Sequence, residues 1–268
     1  MNDAQRLAGL IELWRVSIAD FVELARDLPR ESWDLPTDLP GWSVKDNVAH
    51  TAHLEAVLAG GPEETMAGAP ATPASAVTST YTERGVLARR DHDMATLCDE
   101  IEQAAAARLA ALEADPPTDA AATNLRTPAG LAWSVGTLLS NRPLDVWMHE
   151  QDIRRAVGRP GGFDSPAAAH VVDTLLRALP MVVGKRVAPP VGTTVVLEVS
   201  GLGRRAAVTV GQDGRAARSA GDDPTTTITL TPEDFVCAAG GRRPAAGPQI
   251  TGDAVLGHRV LAALAVTP

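Results

Sequence analysis

Asp145 and His149 stand four residues apart. On a helix that spacing places both side chains on one face, roughly 6 Å apart at Cβ, close enough to meet one cation. Asp152 and Ala156 continue the same stripe, with Leu138 and Ile153 beside it, so the stripe is expected to face the interior. A carboxylate turned inward is costly unless it is paired or bound to a metal. Taken alone, such an i,i+4 Asp–His pair is more often an ordinary surface hydrogen bond than a metal site.

His50 offers a third donor. On the segment 43–59 the apolar arc is set by Val44, Val48, Leu54, Val57 and Leu58, and His50 falls inside it. His53 sits at the edge of that arc, nearer the polar side. A core-facing imidazole needs partners for both nitrogens, which a satisfied core histidine and a metal ligand both provide. Facing helices of a bundle commonly build metal sites. Two imidazoles and one carboxylate make three protein ligands and leave a position open, as catalytic zinc requires. The same donors suit other divalent ions.

Helices must position these residues. Leu7, Leu10, Ile11, Trp14, Ile18, Phe21, Val22 and Ala25 recur at helical spacing over 3–27. The turn-rich stretch Leu35–Gly41 follows, and Ser43 with Asp46 forms a capping box that starts a second helix, expected to end at Gly60-Gly61-Pro62. Residues 60–80 lack periodicity and are expected to form a loop. A third helix is expected from Tyr81 to Ala114 and a fourth over 131–157, where Pro143 either kinks the helix or starts a new one.

Gly161-Gly162 marks the expected boundary between a helical domain, 1–160, and an α+β domain, 161–268. Beyond it, Ser165-Pro166 opens a helix expected over 166–183. Strands are expected at Thr193–Ser200, Arg205–Gly211 and Thr225–Leu230, with Gln212-Asp213-Gly214 as a hairpin turn between the last two. Helices at 232–240 and 253–265 complete the chain.

The bulk numbers narrow the function classes. The chain has 268 residues, 45% of them hydrophobic, enough for a large core. A net charge of -9 with no basic patch argues against a nucleic-acid partner. No uninterrupted run of 18 apolar residues occurs, so no membrane span is expected. Cys98 and Cys237, far apart and in no CxxC pattern, fit a reduced cytoplasm and small core residues.

Two motifs carry a family resemblance. Leu39–His50, LPGWSVKDNVAH, resembles the signature PGW(S/T)V(R/K)D…AH of the actinobacterial mycothiol-dependent maleylpyruvate isomerase family. Arg142–Pro160, RPLDVWMHEQDIRRAVGRP, is similar to that family's R..D.W.HEQDIR.A.GRP run. Thr231–Leu264, with Gly240-Gly-Arg242 and Gly252-Asp253, resembles its second domain more loosely. The resemblance implies a DinB-like four-helix bundle followed by a small α/β sterol-carrier-like domain. It also implies a divalent metal, chiefly Zn²⁺, on His50, Asp145 and His149, with Asp145 where the founding isomerase has Glu. An arginine of the second domain is implied to bind an anionic group of cofactor or substrate; Arg242 is the candidate and Arg243 its rival.

The implied activity is that of a metal-dependent isomerase or S-transferase that adds the thiolate of mycothiol to a small electrophile. A cation beside a thiol favours its thiolate form. Asp152 would orient a ligand histidine from behind. Two alternatives stand beside this: a metal-containing small-molecule binder without turnover, and hydrolysis by a metal-bound water, for which Glu150 is the nearest base but points away from the Asp145 stripe.

Overall fold

The computed structural model describes residues 2–64 and 77–267. It divides into two compact units, Met1–Ala167 and Ala168–Pro268.

In the first unit the apolar periodicity produces α1 (Asp3–Arg26), α2 (Val44–Leu58), α4 (Met94–Ala114) and α5 (Val135–Ala156). A shorter α3 (Val77–Ala88) packs on α2. Both α1 and α2 pack on α4 and on α5, closing a bundle. Its core is built from Leu7, Trp14, Phe21, Val48, Leu97, Ile101, Leu139 and Val146. Each such side chain contributes about 1.5–3 kcal/mol on burial.

The single helix expected from Tyr81 to Ala114 is two helices. Asp93 interrupts it by accepting a hydrogen bond from the Thr96 backbone N–H at 2.8 Å, which caps α4 afresh. Pro143 lies inside a continuous α5, whose start is fixed by Ser134 accepting from the Thr137 N–H at 3.2 Å. Of the loop expected at 60–80, residues 65–76 lie outside the described residues, and α3 already begins at Val77. Gly85 of α3 lies so near the His53 ring that an added Cβ would come within 2.2 Å of it.

The second unit holds a sheet of strand order β3-β2-β1-β4-β5, comprising β1 (Thr194–Val199), β2 (Arg204–Val210), β3 (Ala216–Arg218), β4 (Thr226–Leu230) and β5 (Gln249–Gly252). The turn at Gln212-Asp213-Gly214 is a hairpin turn, but it joins β2 to the short β3. The strand at 226–230 instead pairs in parallel with β1, its neighbour across the sheet. Both β3 and β5 are too short to show periodicity. Helices α6 (Pro166–Leu176), α7 (Leu179–Met181), α8 (Pro232–Ala239) and α9 (Ala254–Ala262) accompany the sheet.

The helical run Pro166–Val187 is long and apolar enough, by length and composition, to cross a membrane, which the count of uninterrupted apolar residues missed. Half of its most apolar window is buried inside the protein. Its later turns pack on β2, β3 and α9, as a core helix does. Cys98 and Cys237 are both buried, and neither is in a disulfide.

Candidate metal centre

Gly41, at φ +85°, turns the chain into α2, and Ser43 fixes where that helix begins. The Ser43 N–H donates to Asp46 Oδ2 at 2.8 Å, and the Asp46 N–H donates to Ser43 Oγ at 3.2 Å. With the start so defined, His50 points inward and is 3% exposed. From α5, Asp145 and His149 face it.

The three side chains converge. His50 Nε2 lies 3.7 Å from Asp145 Oδ2, and His149 Nε2 lies 3.8 Å from Asp145 Oδ1. The imidazoles stand edge to face with centroids 4.7 Å apart. One donor atom from each residue lies within 4.8 Å of the others. These separations are too long for hydrogen bonds. Zinc–ligand distances of roughly 2.0–2.2 Å put adjacent tetrahedral ligands about 3.4 Å apart; the two histidine–Asp145 separations exceed this by a few tenths of an ångström, and the set as a whole, within 4.8 Å, would draw in further to seat an ion. The donor set therefore fits a divalent cation. Among the described residues no other group of His, Cys, Asp and Glu meets the same criterion.

The surroundings hold the donors in ligating form. Asn47 donates its amide N–H to the Ser43 carbonyl at 2.9 Å, which turns its Oδ1 towards His149 Nδ1 at 2.8 Å. Nδ1 must then carry the proton, leaving the Nε2 lone pair facing Asp145. Burial pushes the His50 ring down to about 4, and the neighbouring His149 adds to the effect, so His50 is neutral at pH 7. Burial works against the Asp145 charge, but Arg142 and the two histidines outweigh it and hold the carboxyl well below the usual carboxylate range.

Arg142, fully buried on α5, donates from Nη1 to Asp145 Oδ2 at 2.9 Å. Its Nε and Nη2 donate to Glu55 Oε1 of α2 at 3.1 and 2.8 Å. Glu55 also accepts from Trp14 Nε1 at 3.1 Å and from Arg108 Nη1 at 3.2 Å. Trp42 covers the histidines, its ring centroid 5.0 Å from His50 and 5.9 Å from His149, while its indole N–H donates to Glu83 at 3.1 Å.

The remaining residues singled out in the sequence are placed as follows. Asp152 is buried, with Oδ2 3.5 Å from His149 Nδ1 and Oδ1 paired with Arg155, so Asn47 is the closer partner of that ring. Glu150 accepts from Arg154 Nε at 2.6 Å. Arg242 and Arg243 belong to the second unit, just after α8: Arg242 donates to the Gly240 carbonyl at 2.7 Å, and Arg243 pairs with Glu233. His53, expected near the polar side, is fully buried, and neither of its ring nitrogens has a hydrogen-bond partner among the described residues. The apposition of α3 at Gly85 covers it.

Sequence reasoning missed Asn47, Glu55, Arg142 and Trp42. A signal existed for Glu55, which falls seven residues after Val48 and so lies on the apolar stripe of α2, an expensive place for a charge without partners. Arg142, three residues before Asp145, and Asn47, three before His50, share helix faces with the ligands.

The family described as "Mycothiol maleylpyruvate isomerase N-terminal domain" matches residues 14–154, a span that contains His50, Asp145 and His149. A crystal structure of the mycothiol-dependent maleylpyruvate isomerase is similar over 94% of this chain and 96% of that one, at 18% identity and a TM-score of 0.58. A histidine-to-alanine mutant of the mycothiol-dependent maleylpyruvate isomerase is similar over the same shares, at 17% identity and a TM-score of 0.55. At such identities the likeness shows a common fold, a helical bundle followed by a small α/β unit. No curated protein sequence matches significantly.

Proposed function

The chain belongs to the mycothiol maleylpyruvate isomerase family through its N-terminal domain, and from that premise we propose that it is a metal-dependent enzyme of thiol chemistry, an isomerase or S-transferase that adds the thiolate of mycothiol to a small electrophilic substrate. The observation that carries this reading is the convergence of His50, from one helix, with Asp145 and His149, from another, without hydrogen bonds linking them. A bound divalent ion, zinc by preference, would supply positive charge beside an incoming thiol and favour its thiolate at neutral pH.

The protein's own groups prepare that site. His50 presents a neutral ring because burial disfavours its protonation. His149 presents Nε2 because Asn47 claims the opposite nitrogen. Asp152, 3.5 Å from that same nitrogen, supports the ring from the following turn of α5. Trp42 excludes water from one side of both imidazoles. Arg242 is the proposed contact for an anionic group of cofactor or substrate, on the resemblance of its glycine-rich segment, with Arg243 as the alternative. The two buried cysteines, outside any disulfide, suit a reducing, cytoplasmic setting and a nucleophile supplied from outside the chain.

Elemental analysis of wild type beside His149→Ala, together with S-conjugation or isomerisation assays with mycothiol added, tests the proposal. Roughly one divalent ion per chain in wild type, its loss in the variant and a mycothiol-dependent product are expected. Metal without turnover across a broad panel of electrophiles would favour a binding protein instead.

A further inference from the structure

Four charged side chains, Asp145, Arg142, Glu55 and Arg108, form one hydrogen-bonded chain that begins beside the candidate ligands and runs into the bundle. Glu55 and Arg142 are completely buried and Arg108 is 5% exposed. Fold stability gives no reason for this arrangement. Burying paired charges costs about as much as the pairing returns, and well-packed apolar residues of similar volume commonly serve as well or better. The bundle has such residues in abundance elsewhere. What apolar residues could not supply is direction.

The guanidinium of Arg142 is a planar fork whose donors keep fixed angles to one another. Nε and Nη2 engage one oxygen of Glu55 on α2, and Nη1 engages one oxygen of Asp145 on α5. Because the fork is rigid, fixing Glu55 fixes the approach to Asp145. Glu55 is itself held by the Trp14 indole and by Arg108, which stacks over the Trp14 ring at 4.5 Å. The bonded oxygen of Asp145 is Oδ2, which is also the one nearer His50 Nε2, while Oδ1 is the one nearer His149 Nε2.

We propose that Arg142, anchored by Glu55, is a positioning residue for the metal centre: by holding Oδ2 it fixes the rotation of the Asp145 carboxylate between the two histidines, and it locks α2 to α5 in the register that brings His50 to the other two donors. This rests on the metal reading above. The four charges, two negative and two positive, sum to zero, and the histidines are neutral ligands. Within this chain Arg142 offsets the charge of Asp145, which favours an anionic ligand such as a thiolate in the remaining position. The Glu55–Arg142 pair sets both the geometry and the charge of the site without touching the ion.

The test uses the full-length protein and two readouts that a purely structural pair would leave unchanged: the zinc dissociation constant, from competition with a chromophoric chelator, and the visible d–d spectrum after cobalt(II) substitution. Glu55→Gln removes the anchor, and Arg142→Lys keeps the charge but cannot span both carboxylates. Each is expected to weaken zinc binding about 10–100-fold and to change the cobalt spectrum. Leu97→Ala, a core truncation on α4, is the control that loses stability and keeps both readouts. If the single variants do not fold, Glu55→Gln combined with Arg142→Gln removes both charges together, and the same weakening and spectral change are expected. Wild-type affinity and spectrum in whichever of these variants fold would overturn the inference and leave the metal site standing. A wild type that binds neither zinc nor cobalt would overturn both.

Discussion

The bundle has two seams of different character. Where α1 meets α4, the buried side chains are apolar over most of their length, among them Leu7, Ile18, Phe21, Val22, Leu97, Cys98 and Ile101. Most charges there stay outside, as where Arg26 pairs with Asp99 and Glu102 at the surface, and the buried Arg108, stacked over Trp14, turns to Glu55 of α2. Where α2 meets α5, the buried set includes Asn47, His50, Glu55, Arg142, His149 and Asp152. One pair of helices buries hydrocarbon and the other buries polar groups in the same small domain. Apolar burial stabilises without direction, whereas each buried polar group needs a specific partner at a specific angle. The first seam accordingly holds the bundle together, and the second spends stability on geometry.

That contrast can be broken from either side. The largest effect is expected from Phe21→Ala in the apolar seam: a loss of about 3–5 kcal/mol in urea unfolding, with the metal stoichiometry of the folded protein unchanged. A Phe21→Ala protein that folds yet loses its metal would erase the distinction between the seams. Next, Asn47→Ala releases His149 Nδ1 and should weaken zinc binding about 10–100-fold by titration calorimetry, while lowering stability by less than Phe21→Ala. Unaltered affinity would remove Asn47 from the support of the ring.

Smaller again is a pH effect at His53. Burial lowers its ring from 6.5 to about 4, so on acidification the unfolded chain takes the proton before the folded one. Stability of the metal-free wild type therefore falls as the pH drops from about 6.5 towards about 4. In His53→Leu that fall should be shallower over the same window, and coincident slopes would contradict a buried neutral imidazole. The smallest change is expected from Arg26→Ala. Its ion pairs are more than a third exposed on every partner, and its removal should cost less than about 1 kcal/mol, a difference that added salt erases. A larger, salt-resistant loss would mean that the α1–α4 seam also depends on charge.

Much of the polar seam was legible because local rules govern it. The spacing of Asp145 and His149, the inward arc of His50 and the Ser43–Asp46 capping box are all properties of a few consecutive residues. Glu55 and Arg142 stand 87 positions apart, and no local rule pairs them. The break between α3 and α4 was hidden because Asp93 is a modest signal inside a strongly helical stretch, decisive only once its side chain is seen to cap Thr96. In the second unit the hairpin turn at Gln212-Asp213-Gly214 was visible but its partner was not. A turn fixes where the chain reverses; the strand that follows it here is too short to be read from alternation. His53 was misplaced because α3, which covers it, does not enter the periodicity of α2.

The most direct test is the divalent-metal content of purified His50→Ala beside His149→Ala and wild type. The two histidines lie on separate helices, their rings edge to face, and are proposed to share one ion. Roughly one ion per chain in wild type and a matching loss in both variants, with the fold retained by circular dichroism, is the predicted result. Full metal content in folded His50→Ala would contradict a site built across α2 and α5.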